Sequence, residues 1–255
     1  MTTTFADPAT PATTRPAAAP AATPRRDATG RMDLYVSIHK ALRHFMTATL
    51  TRIGRIDVAD RADRDEALCQ LDELLELCLG HLRHENEFVH SAIEARQPAG
   101  TRRIADEHVE HAESIAALKA EAAALRDASG ADAERLALRL YRHLALFVAE
   151  NFQHMHIEET VHNALLWQHY SDAELGALHG RLMASIAPQE HLLVARWMLP
   201  ASTPAERALV AGAAKAQMPP EALLGVMSVV RPHLDDKGWA KLAAAIGIDP
   251  GLGRG

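Results

Sequence analysis

Residues 71–90 read LDELLELCLGHLRHENEFVH. The first half places Leu71, Leu74, Leu77 and Cys78 at the three- and four-residue spacing that gathers side chains on one face of an α-helix. The second half keeps that rhythm through Leu82, Phe88 and Val89, but adds three histidines and two glutamates within ten residues. A helix turns by about 100° per residue. On that wheel Glu85 falls in the middle of the apolar stripe, with His81 at its edge and His84 on the other flank. Glu87 and His90 point to solvent, which makes the Glu-x-x-His they form a decoy.

The same rhythm extends in both directions. Tyr35, Ile38, Leu42, Met46, Thr49, Leu50 and Ile53 predict a first helix from Met32 to Gly54, and the quoted stretch belongs to a second, from Asp65 to about Ala95, ended by Pro98 and Gly100. Ile104, Ile115, Leu118, Ala122 and Leu125 mark a third over 101–128, stopped at Ser129-Gly130. A fourth runs from Ala131 to about Tyr170, with Leu140, Leu144, Phe147, Val161 and Leu165 inward. Four long amphipathic helices with short connections predict an all-α fold, an antiparallel up-and-down four-helix bundle over 31–170. The capping-box pattern Ser171 to Glu174 starts a new helix, and prolines 188, 200, 204, 219, 220 and 232 divide 171–255 into a C-terminal appendage of short helices. Residues 1–30 are Thr, Ala and Pro with little to bury, as expected of a disordered tail.

Composition narrows the function. Net charge is −6 and no basic block follows a phosphate backbone, which argues against nucleic acid. No apolar run reaches the length of a membrane span, and no signal-peptide stretch opens the chain, so a soluble, cytoplasmic protein without a membrane partner is expected. The two cysteines, Cys69 and Cys78, face different directions on one helix, consistent with a reducing compartment. Fifteen histidines are many for 255 residues, and they raise the question of metal.

In FVAENFQHMHIEETVHNALLW, residues 147–167, His154 and Glu158 fall inward, His156 outward, Glu159 at the margin, and His162 inward but two turns on. Two helices thus each present an inward His-x-x-x-Glu, His81 with Glu85 and His154 with Glu158. Residues four apart have Cβ atoms about 5–6 Å from each other, within reach of one metal centre. His39 on the first helix and both His108 and His111 on the third share the apolar face. An inward glutamate can instead be matched by arginine, and Arg43 and Arg83 are the available partners. Inward histidines on all four helices favour the metal: an N/O-rich set suits iron, manganese or zinc, and two carboxylates flanked by imidazoles suit two ions. The histidines of the last stretch, His179, His191 and His233, are widely spaced and receive no role.

With these residues in place, Tyr35 to about Tyr170 resembles the hemerythrin-like family, also called the HHE cation-binding domain. The matching pieces are IHKALRHF (38–45), HLRHENEFVHSAIEA (81–95), DEHVEHAESIAAL (106–118) and FQHMHIEETV (152–161). The resemblance implies a non-haem di-iron centre, two iron ions bridged by two carboxylates and an oxo or hydroxo group. By motif its ligands are His39, His81 with Glu85, His154 with Glu158, and a third-helix histidine, for which the resemblance favours His111 over His108. The reading it favours is a metal-binding protein that binds or senses a small diatomic ligand, oxygen or nitric oxide, without catalysis rather than as an enzyme, a choice it leaves open, with room for a protein partner at the C-terminal helices. The alternative is a di-iron oxidase or peroxide-handling enzyme, or a nitric oxide stress protein that repairs iron–sulfur centres. Oxygen carriers of the family space the third-helix histidines four apart and end on a histidine and aspartate five apart. Here the spacings are three and His-x-x-x-Glu, closer to the nitric oxide-linked members, although the tail lacks the cysteine those repair proteins carry.

Overall fold

The computed structural model describes residues 25–26 and 30–251, and they are helical nearly throughout. The expected tail lies outside the described residues except at Arg25–Arg26, which pairs antiparallel with Met32–Asp33, and at Gly30. Helix α1 is Val36–Gly54, α2 Arg61–His84, α3 Ser91–Arg96, α4 Arg102–Asp127, α5 Gly130–Ile157 and α6 Asn163–His169. Asp60 starts α2 by accepting from the N–H groups of Ala62 and Asp63, two donors that the helix itself cannot satisfy.

Between α2 and α3, and again between α5 and α6, the chain stays helical but winds as a π-helix, over Glu85–His90 and Glu158–His162. A π turn closes its hydrogen bonds five residues back, so it holds one residue more than an α turn. Everything downstream therefore slips by about one position on the wheel. Val161 and Leu165 were expected inward; instead Val161 is 50% exposed and Leu165 half-buried, while Leu166 is buried, and His162 is buried as expected. His90, expected in solvent, is buried for the same reason.

Helix α1 packs on α2 and α5, and α4 packs on the same two, closing a ring around Leu42, Phe45, Leu71, Leu75, Leu118, Leu144 and Phe147. The remaining helices are α7 Asp172–Ser185, α8 Pro188–Ala201, α9 Pro204–Gln217, α10 Pro220–Val230 and α11 Asp236–Ile246. Ser171 and Glu174 form the expected capping box at α7, and Thr203 with Glu206 repeats it at α9. Much of this stretch has a core of its own around Leu223, Met227, Trp239 and Leu242. Helix α8 joins the two: Leu199 belongs to this second core, whereas Trp197 and Met198 belong to the first. Trp197 stacks on Phe45 with ring centroids 3.9 Å apart, a burial worth roughly 1.5–3 kcal/mol for a large apolar side chain before the ring–ring contribution. Lys40 donates to Glu206 at 2.7 Å, and Arg196 pairs with Glu73, so the C-terminal helices are fastened to α1 and α2.

Among the described residues no helix is long and apolar enough to cross a membrane. Both cysteines are free; burial pushes the Cys78 thiol up to about 12.

Candidate metal centre

Four histidines, one from each helix of the ring, turn their Nε2 atoms toward Glu85 and Glu158. His39 Nε2 lies 3.4 Å from Glu158 and 3.7 Å from Glu85, and His81 Nε2 lies 3.2 Å from Glu85. On the other side, His108 Nε2 lies 3.5 Å from Glu85 and 3.7 Å from Glu158, His154 Nε2 3.3 Å from Glu158, and the two imidazole nitrogens are 3.1 Å apart. Two groups of converging ligand atoms result: His39, His81, Glu85 and Glu158, and then Glu85, His108, His154 and Glu158. Both glutamates belong to both.

The separations fit an ion better than hydrogen bonds. Ligands about 2.1 Å from a shared ion, at tetrahedral or octahedral angles, stand roughly 3.0–3.4 Å from one another. All four carboxylate oxygens of Glu85 and Glu158 are buried with no hydrogen-bond partner, as are Nε2 of His39 and of His81. Two unpaired buried carboxylates are costly, and a bound cation is the partner that removes the cost.

The opposite edges of the rings are tied down. His39 Nδ1 meets Glu159 at 3.0 Å, and Arg43 holds the same carboxylate with two guanidinium N–H groups. His154 Nδ1 meets Glu107 at 2.9 Å, itself gripped by Arg103, and His108 Nδ1 meets the Asn86 side-chain oxygen at 2.8 Å. In the neutral imidazole, donation from Nδ1 to an oxygen leaves Nε2 with its lone pair free toward the carboxylates, which is the arrangement that orients metal-ligating histidines. Arg43 therefore serves Glu159, not the inner glutamates, and exposed Arg83 lies against Glu190, at 3.8 Å, and His84, at 3.5 Å.

Charge follows this geometry. Burial works against a charged His39, but its hydrogen bond to Glu159 and the nearby Glu85 and Glu158 outweigh it and take the imidazole up to about 9. Burial also opposes the Glu159 anion, and His39 with Arg43 overcome it to hold the carboxyl at about 2. Burial pushes Glu85 up, helped by the charge of Glu158. Glu158 resists the same burial and stays well below the usual carboxylate range, because His108, His154 and His39 surround it.

Each remaining sequence-derived residue has a definite place. His111 is buried but belongs to neither group; its ring lies edge-on to His154 and Phe147, and burial lowers it to about 4. On the third helix it is His108 that the structure brings to the carboxylates. His84 is buried and turned away, its Nδ1 3.5 Å from Glu190 of α8, and Glu87 is exposed as the wheel placed it. The sequence reading missed His90, which stacks on His108 and, with His162, forms a third group on Glu158. Tyr35 adds a phenol 3.3 Å from His162 Nδ1. The signal that could have found them is the recurrence of His, Glu and a second His on both helices, at 81, 85 and 90 and at 154, 158 and 162.

Comparison with models of known families, with curated proteins and with solved structures found no match for this chain. The buried His/Glu cluster that could hold a metal ion is therefore an observation of this structure alone.

Proposed function

We propose that this protein is a hemerythrin-like di-iron protein, an up-and-down four-helix bundle whose centre binds or senses a small diatomic ligand, oxygen or nitric oxide. The observation that carries the reading is the convergence of His39, His81, His108 and His154 through Nε2 on two otherwise unpaired carboxylates. Glu85 and Glu158 would bridge two ions, with His39 and His81 on one side and His108 and His154 on the other. Bound iron would supply an open coordination position for a gas. Glu159, Glu107 and Asn86 hold the imidazoles in the tautomer that ligation needs. The oxidase reading stands second, and one observation favours it: an apolar cavity reaches His81 and Glu85, so a substrate larger than a gas has a route to the centre.

Metal analysis and the visible spectrum of protein expressed in iron-replete medium test the proposal. The expected result is two iron ions per chain, depleted in Glu85→Ala and kept in Glu87→Ala; protein without any transition metal overturns it. Exposure of the reduced protein to oxygen then separates a stable adduct from turnover.

A further inference from the structure

The cavity that touches the site deserves a ligand of its own. It encloses about 460 Å³, within the roughly 300–1,000 Å³ of small-molecule sites, and is walled by α1, α2 and the C-terminal helices α7 to α10. Leu182 and Met183 of α7, Val194 and Ala195 of α8 and Val226 of α10 are half-buried residues whose side chains line it. It lies where α8, whose Trp197 and Met198 pack in the first core and Leu199 in the second, meets α10, whose Leu223 and Met227 pack in the second. His81 and Glu85 form part of its wall, and His81 is the most open of the six site residues, its side chain 12% exposed against at most 4% for the others.

The wall chemistry selects the occupant. Asp33, Glu85 and Glu190 line the cavity, and no lysine or arginine among the described residues does. His81, His84, His179 and His191 also line it, and burial lowers each of them, so they stand there as neutral imidazoles. An anionic head group would find carboxylates and no cation of the protein, and a cationic one would have to lie along a mostly aliphatic surface. A charge buried without a partner is expensive, whereas an apolar chain gains from every CH₂ it buries.

We infer that the cavity binds an uncharged, chain-like apolar molecule with a terminal oxygen, of the class of medium-chain primary alcohols, its oxygen at the His81–Glu85 edge and its chain between α7, α8 and α10. The oxygen end rests on the metal reading above; the apolar end does not.

The test is displacement of the neutral fluorophore N-phenyl-1-naphthylamine from the full chain, metal-free and iron-loaded, by 1-dodecanol and by dodecanoate. Dodecanol is expected to displace the probe from both forms, and in the metal-free chain dodecanoate is expected to be weaker by about tenfold or more because its charge is unpaired there. Ala195→Trp and Val226→Trp, which fill the cavity from two different helices, are each expected to weaken dodecanol by about tenfold or more through steric exclusion, with metal content and helix content unchanged. Absence of displacement by dodecanol, dodecanoate binding to the metal-free chain equal to or tighter than that of dodecanol, or undiminished binding in both variants overturns the inference. Failure of the metal reading shows separately, as protein that takes up no metal on loading and still binds dodecanol.

Discussion

Glu85 and Glu158 each follow an inward histidine by four residues and each opens a π-helical turn, yet the two turns close differently. From Glu85 the next buried histidine is five residues on, at His90; from Glu158 it is four residues on, at His162. Glu158 takes part in all three groups of converging ligand atoms, Glu85 in two. Glu85 alone of the pair borders the apolar cavity, and its carboxyl is pushed up where that of Glu158 is held down. Like charges this close cannot both ionise easily, so without a cation Glu85, the one with fewer imidazoles around it, is the more readily protonated of the two. Two identical motifs have become a hub and a gate-side partner.

The comparison can be broken most directly at the hub. Glu158→Ala removes the ligand common to every group and is expected to leave less metal per chain than Glu85→Ala; the reverse order by metal analysis would show that the two roles are exchanged. Next in size is Glu159→Ala, which frees His39 Nδ1 and leaves Arg43 unpaired. Loss of such an orienting partner costs about 10–100-fold in metal affinity, measured by chelator competition, and an unchanged affinity would mean that His39 is not a ligand.

A third effect is on the pH dependence of the metal-free protein. Burial takes His90 down to about 3 and His111 to about 4, whereas unfolded imidazoles titrate near 6.5. As pH falls from 6.5 toward 4, the unfolded chain therefore binds more protons than the folded one, and stability falls. His39 works in the opposite sense: with a folded value of about 9, its contribution is complete below 6.5 and lost as pH rises through 9. Thermal midpoints should accordingly decline on both sides, with His90→Asn flattening the acid limb and His39→Asn the alkaline one. The smallest effect belongs to Glu87→Ala, an exposed residue between the two, expected to change stability by less than about 0.5 kcal/mol.

Much of this was legible in the residues. The long helices, the SDAE cap and the inward placement of His39, His81, Glu85, His154 and Glu158 follow from hydrophobic rhythm, which a regular helix preserves. What was not legible begins where the helix stops being regular. Val161 and His90 were placed on the wrong faces because a constant angle per residue was carried through two π turns. The choice of His108 over His111 was equally hidden, since both share the stripe of Ile104, Ile115 and Leu118, and which one reaches the carboxylates depends on how high α4 sits against α2 and α5.

By itself, then, the sequence determined the helical class and the set of inward histidines and glutamates, because local periodicity is enough to say which side of a helix is apolar. Only the tertiary structure decided that four imidazoles from four helices share two carboxylates, that Glu158 and not Glu85 is the hub, and that the C-terminal helices leave a cavity beside them. Those are matters of distance between segments far apart in the chain, and one-dimensional rhythm carries no information about how two helices slide along each other or where a helix takes in an additional residue per turn.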